Sequence, residues 1–497
     1  MIPYGERRLE YHDIQGLVQH DYVELPSAIF VLCQVTDPER AHAWLAGLVE
    51  QIERVSRLAL DHPRRTSAVH VAFTSHGLSA LGVAAEVLNQ FPREFREGMA
   101  TLQRERLLGD RGESRAVNWE WGAERDSTRA DDHPRPDPRL HVMLMVYAHD
   151  ADMLRDRIET LLPRGTDQGL RELKRFDTVF LAGPEREADG RLVGPKEHFG
   201  FRDGIGQPHV AGMPPSDPNV NPAEGNTIAP GEVLLGYANS YGEMPEGPTD
   251  VHGLGFGRNG TFLVFRQLRQ DVKQFWDYVA ACSDSEADAA IKLAAKMVGR
   301  WPDGTPLVVS PNHSNPEART HNQFLYASDR DHPDPYGTRC PIGAHIRRTN
   351  PRDSLGDDPA QALELANQHR IIRRSRAYGP PLVENMDPKS MMGAVDNGAE
   401  RGLHFLCLNA AIDRQFEFVQ SLWANNPKFG NLYEDPDPLI GVQDGRTGQF
   451  TVQGQPIRCR YSNMQRFVQV RGGAYFFLPG IEAIRTLARN STTALSR

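Results

Sequence analysis

Three short segments hold residue types that can do chemistry together. The first runs His198-Phe199-Gly200-Phe201-Arg202-Asp203-Gly204-Ile205-Gly206-Gln207-Pro208. Its three glycines allow the backbone close to a ligand, and Asp203 and Arg202 stand in otherwise apolar surroundings. Taken alone, an Asp-Gly pair is usually just a tight turn, and the spacing does not form a dinucleotide loop. The second, Cys340-Pro341-Ile342-Gly343-Ala344-His345-Ile346-Arg347-Arg348-Thr349-Asn350-Pro351-Arg352, sets one histidine before a basic run. The third, His369 to Gly379, places Arg373 after the β-prone pair Ile371-Ile372. The arginines at 347, 348, 352, 370, 373, 374 and 376 can neutralise an anionic ligand, or they can form a solvated face.

A lone histidine is most often structural. Beside an acid and a buried arginine it gains a second meaning. An imidazole can hold an iron centre, a carboxylate can move a proton, and a guanidinium can steady the charge of a breaking O–O bond. These are the minimum parts for peroxide chemistry at haem. Spacing alone does not choose this over another anion site.

The elements that must position these segments follow from pattern. Ile29–Cys33, Val69–Phe73 and Leu140–Tyr147 read as strands, and Thr178–Leu181 as a fourth. Thr36-Asp37-Pro38-Glu39 starts a helix that continues through Leu45, Leu48 and Ile52, and 150–162 forms a second. The polar stretch 109–138 interrupts this half. The second half repeats the scheme. Thr261–Phe265, Leu403–Leu408, Phe467–Val470 and Ala474–Leu478 are strands. One helix presents Val272, Phe275, Trp276 and Val279, and the next Ile412, Phe416, Val419 and Trp423. The expected class is α+β, with two ferredoxin-like units of duplicated β-α-β-β-α-β order and antiparallel sheets covered by helices. The proline-rich connector 211–231 divides residues 1–225, with the Asp203 loop, from 226–497.

With 497 residues the chain can bury a large core, and 24% charged against 39% apolar residues is ordinary for a globular protein. A net charge of -9 argues against nucleic acid as the main partner. Arg7-Arg8 is not followed by an apolar stretch, and no apolar run is long enough to span a bilayer. The five cysteines, at 33, 282, 340, 407 and 459, form no C-x-x-C pair, which excludes a zinc ribbon and covalent haem attachment of the C-x-x-C-H kind. A cytoplasmic, non-membrane protein without disulfides is expected.

All three segments, in order, resemble the dye-decolourising peroxidase family. Gly200-Phe201-Arg202-Asp203-Gly204 matches its G-x-x-D-G motif, His345 its proximal haem ligand, and Arg373 its distal arginine. Likeness extends to Arg258–Leu268, Gly402–Gly430 and Gly472–Pro479, and the length suggests the larger bacterial forms related to the fungal enzymes. The resemblance implies one non-covalent haem b per chain, lying mainly against the C-terminal unit. It also implies reduction of H2O2 by Asp203 and Arg373, and one-electron oxidation of anthraquinone dyes or phenolics. Gly204, Ile205 and Gln207 are expected against the cofactor. Arg352 is expected on its propionates, ahead of Arg347 and Arg370. Asp413 and Glu417, one turn apart on an expected helix, are candidates to accept from His345, or else a solvent-facing acidic pair. Trp119, Trp121 and Tyr378 are candidates to carry electrons from bulky substrates, against ordinary packing. Ser375 stands where some short members have asparagine, so no distal amide is carried over. A carboxylate base works in acid, so dye oxidation should peak below neutral pH. A haem carrier or iron-release protein on the same scaffold, and a non-haem anion-binding module, remain as rivals.

Overall fold

The computed structural model describes residues 8–56, 65–125, 133–162, 169–181, 185–186, 192–215, 226–249, 255–454 and 456–489. Residues 126–132 of the polar stretch and 216–225 of the connector, with Pro218 and Pro222, lie outside the described residues, as does Arg7.

The main strands are β1 (Ser27–Val35), β2 (Ser67–Phe73), β3 (Val142–Ala148), β4 (Leu170–Asp177), β5 (Thr261–Gln270), β6 (Ile372–Arg373), β7 (Arg376–Tyr378), β8 (Gly402–Asn409) and β9 (Val468–Leu478). The first four lie in the order β4-β1-β3-β2, and the rest in the order β9-β5-β8 with β6 and β7 both on β8. Each unit therefore runs fourth, first, third, second, the order of a ferredoxin-like sheet, and all pairings within the units are antiparallel. The two expected sheets join edge to edge. Phe477 of β9 pairs with Phe73 of β2, which makes one nine-stranded sheet.

The helices form where caps and apolar spacing agree. In α1 (Pro38–Leu48) the Asp37 side chain accepts from the Arg40 amide, proline opens the first turn, and Ala41, Trp44, Leu45 and Leu48 are buried. In α2 (Ala151–Leu161) the Asp150 side chain accepts from the Met153 amide. In the second unit α3 (Val272–Ala281) buries the expected face of Val272, Phe275, Trp276 and Val279. A further helix, α4 (Ala287–Val298), follows it.

Three expectations need correction. The strands expected at 467–470 and 474–478 are one continuous strand, β9. The fourth strand of the first unit is Leu170–Asp177, not 178–181, where only Val179 makes an isolated bridge to Ala377. Strand β4 is an edge strand with charged residues along it, which hides its period from a search for apolar runs. The helix carrying Ile412, Phe416, Val419 and Trp423 buries all four but is wound as π-helix over Asp413–Glu417 and Val419–Ala424. Its amides reach back five residues, as from Glu417 to Ile412 (2.9 Å).

Candidate active site

His345 opens the short helix α5 (His345–Thr349). Its neighbours pin it. The Arg347 guanidinium is buried on Asp334 (3.1 Å) and lies 4.3 Å from the Tyr326 ring. Arg348 donates to the Asn426 carbonyl (3.1 Å) and lies over Phe429. The His345 Nδ1 pairs with the Asp437 carboxylate at 2.9 Å, which leaves Nε2 for a ligand in the cavity that His345 lines. Asp437 has no exposed side-chain surface. Burial works against its charge. His345, the Ile440 amide and Arg348 outweigh burial and hold the carboxyl below its ordinary range. Neither expected partner is used. Asp413 is exposed, and Glu417 binds Arg104 (2.9 Å) and the Tyr475 hydroxyl (2.8 Å).

Asp203 and Arg373 meet across the two halves of the chain. Arg373 ends the short strand β6, and its guanidinium is 2.8 Å from Asp203 Oδ1. The same carboxylate oxygen accepts from the Gly204 amide. Gly204 has φ +84°, a conformation that favours glycine directly after the acid. The side-chain oxygen of Gln207 accepts from the Arg373 amide (2.9 Å). Gln207 therefore fixes the arginine's backbone. Of the three loop residues expected against a cofactor, Ile205 lines the cavity, while Gly204 and Gln207 do not.

The cavity lies on the face of the C-terminal sheet formed by Leu268, Leu403 and Phe405, and holds about 1920 Å³ of atom-free space, its open mouth included. His345, Asp203 and Arg373 all line it. So do Arg300, Arg352 and Arg370. Arg352 donates to the Asn322 and Phe324 carbonyls and stacks 4.0 Å over Phe324. Arg370 donates to Asn226 and the Gly206 carbonyl, and Arg300 to the Gly304 and His321 carbonyls. Among the described residues none of these three is paired with a carboxylate. Burial, with neighbouring arginines adding, lowers Arg300 to about 10 and Arg370 to about 9. A wall of buried cations without a counter-anion fits a cofactor that carries carboxylates.

The arginine cluster is thus divided. Arg352, Arg370 and Arg373 reach the cavity, whereas Arg347, which had been expected near a propionate, holds α5 in place. Arg374 and Arg376 bind carbonyls of residues 17–25 instead. Sequence reasoning missed Asp437, Arg300 and Glu197, all on or beside this cavity. The electron-transfer candidates are buried. Trp119 donates to the Ser114 carbonyl, Trp121 to Gln267, and Tyr378 stacks on His404. None of the three is a surface residue, and the Ser375 hydroxyl accepts from the Leu406 amide.

A paired ferredoxin-like fold with a histidine–aspartate couple and an acid–arginine pair on one cavity defines a peroxidase-type scaffold. The chain belongs to the dye-decolourising peroxidase family, whose members are haem enzymes. It is 30% identical to a dye-decolorizing peroxidase of Mycetinis scorodonius over 505 residues, covering 96% of this chain and 88% of that protein. A multifunctional dye peroxidase of an Amycolatopsis species is 31% identical over 59% of this chain and 61% of its own. Among solved structures, an ancestral D-type dye decolorizing peroxidase superposes with a TM-score of 0.74 at 26% identity, covering 98% of this chain and all of that one. The Auricularia auricula-judae enzyme reaches 0.72 at 25% identity, with 97% and 100% covered. No family model matches the chain.

Proposed function

We propose that this protein is a haem-dependent peroxidase that reduces H2O2 and oxidises aromatic substrates, such as anthraquinone dyes and phenolics, by one-electron steps. The observation that carries this reading is the shared cavity. His345 backed by Asp437, Asp203 against Arg373, and three arginines with no acid paired to them among the described residues all open onto it. One non-covalent haem b would fit that set: His345 Nε2 would hold its iron, and Arg352, Arg370 and Arg300 would neutralise its carboxylates. When bound, it supplies the redox centre that takes up the oxidising power of peroxide and spends it one electron at a time.

The chain's own residues do the rest. The Asp203 carboxylate accepts the proton of the entering peroxide and returns it to the leaving oxygen. Arg373, 2.8 Å away, stabilises the negative charge of that separation and orients the acid. Asp437 accepts from His345 Nδ1 and so raises the basicity of Nε2. We divide the chain at 225/226, since the first unit's strands in the main sheet end at Asp177 and the second unit's begin at Thr261. The chain covers most of the length of the fungal relative, which supports the larger form of the family. All five cysteines are free, which supports a reducing compartment. Among the described residues no helix is long and apolar enough to cross a membrane.

The test is an absorption spectrum of the haem-loaded protein before and after one equivalent of H2O2. A Soret band that shifts with peroxide, and is lost in His345→Ala, is expected. Dye oxidation should peak below neutral pH. Bleaching without a shifted band would instead assign a haem carrier, and failure to bind haem would remove the reading altogether.

A further inference from the structure

Asp203 sits at the base of a small hairpin. Its amide donates to the Pro195 carbonyl (3.0 Å), Lys196 bridges Arg202, and the Glu197 amide donates to the Phe201 carbonyl (2.9 Å). The turn above is closed by one side chain. Glu197 Oε1 accepts from the Phe201 amide (3.0 Å), and Oε2 from the Phe199 amide (3.0 Å). Oε2 also accepts from Gln270 Nε2 at 2.6 Å. Gln270 is the last residue of β5, where strand alternation puts it on the cavity face with Leu268 and Arg266. Glu197 lines the same cavity. A single carboxyl group therefore closes the turn and fastens it to the C-terminal sheet.

We propose that Glu197 is the positioning residue of Asp203, holding the acid's hairpin in register with Arg373 through Gln270. The inference rests on the reading of Asp203 as the proton acceptor. Three N–H groups converge on Glu197, whose two carboxyl oxygens accept from all of them. Glu197 also senses the acid it supports. Burial raises Glu197 to about 7 against the pull of those N–H groups, and the charge of Asp203 adds to the rise. The hairpin keeps other anchors, His198 on the Tyr378 carbonyl (2.8 Å) and Trp276 on the Phe199 carbonyl (3.2 Å). Removing Glu197 thus loosens the turn without releasing it. A displacement of about 1 Å at a reacting group can cost about 10²-fold in rate, so a loosened turn is felt at Asp203.

The variants are Glu197→Gln, whose amide turns one acceptor into a donor facing N–H groups, and Gln270→Leu, which cuts only the tie to the sheet. Two readouts are taken: amide hydrogen exchange at Phe199 and Phe201, and kcat/KM measured separately for H2O2 and for a dye. Glu197→Gln should speed exchange at both amides and lower kcat/KM for H2O2 about tenfold. Its dye kcat/KM and haem absorbance per chain should stay unchanged. Gln270→Leu should give a smaller loss of the same kind. A peroxide kcat/KM within about twofold of the parent in both variants overturns the proposal. So does a parallel fall in peroxide and dye kinetics with loss of haem, which is the mark of general destabilisation. Unchanged exchange at Phe199 and Phe201 overturns it even if the parent shows no peroxide reaction, a result that would separately sink the peroxidase reading.

Discussion

The two units share one strand plan, yet only the second unit's sheet faces the cavity, which the first unit reaches through its loops, Asp203 among them. In the first unit β3 is buried at every position from Val142 to Ala148, and its residues pack into apolar clusters on both sides of the sheet. In the second, β5 turns Arg266, Leu268 and Gln270 toward open space. The connections differ more than the strands. From α1 to β2 the first unit runs only from Leu48 to Ser67, whereas from α3 to β6 the second runs from Ala281 to Ile372. That longer insertion carries Arg300, Phe324, His345 and Arg352. The first unit spends its own long connection, between β2 and β3, on the neighbour's sheet. Asp110 pairs with Arg266, and the Ser114 hydroxyl accepts from the Val470 amide (3.1 Å). Gly472 of β9 admits Trp121 so closely that a Cβ there would lie 2.3 Å from the indole nitrogen. The second helix differs too, regular in one unit and π-wound in the other, where Phe416, Val419 and Gln420 line the cavity. The repeated sheet supplies rigidity and carries Arg373, and the insertion and the Asp203 hairpin bring the other groups to it.

This asymmetry is best broken at the distal pair. Asp203→Asn should lower kcat/KM for H2O2 by about 10²–10⁴, and Arg373→Leu by about 10²–10³, with little change in thermal midpoint. Peroxide rates within about threefold of the parent for both would move the chemistry out of this cavity. Asp437→Asn should act next, weakening haem retention or activity by about 10–100-fold in a haem titration. The mirror experiment belongs to the first unit. Leu144 is fully buried there, so Leu144→Ala should cost about 2–5 kcal/mol in urea unfolding. Its kcat/KM per folded molecule should equal that of the parent. A changed peroxide rate would show that the first unit tunes the site, contrary to the division of labour drawn above.

Much of this was readable from the residues. The start of α1 at Asp37-Pro38 and the buried face of α3 follow from local rules, and the three motif residues do share one cavity. What escaped was set by distance or by strand parity. Asp437 lies 92 residues from His345, and helical spacing pointed instead to Asp413 and Glu417. Neighbouring arginines look equivalent in a list. On a strand, side chains alternate, so Arg373 enters the cavity while Arg374 turns to the carbonyls of Leu17 and Val18. The joining of two sheets through one residue pair, Phe73 with Phe477, has no local signature at all.

The smallest expected effect concerns pH, and it sharpens the comparison at Glu197, where the hairpin meets the C-terminal sheet. Its folded-state carboxyl is raised to about 7, first by burial. A raised group contributes stability that is fully present below its unfolded value and lost as pH rises through the folded one. The parent should therefore lose thermal stability between about pH 5 and 8 more steeply than Glu197→Gln, which has no charge to acquire. Asp110 and Glu417 are also raised by burial, but both proteins contain them, so the difference in slope isolates Glu197. Equal slopes would mean that the turn accommodates the ionised carboxylate at no cost. Glu197 would then act on Asp203 through hydrogen bonds alone, and the kinetic loss in Glu197→Gln should be the same at both ends of that range.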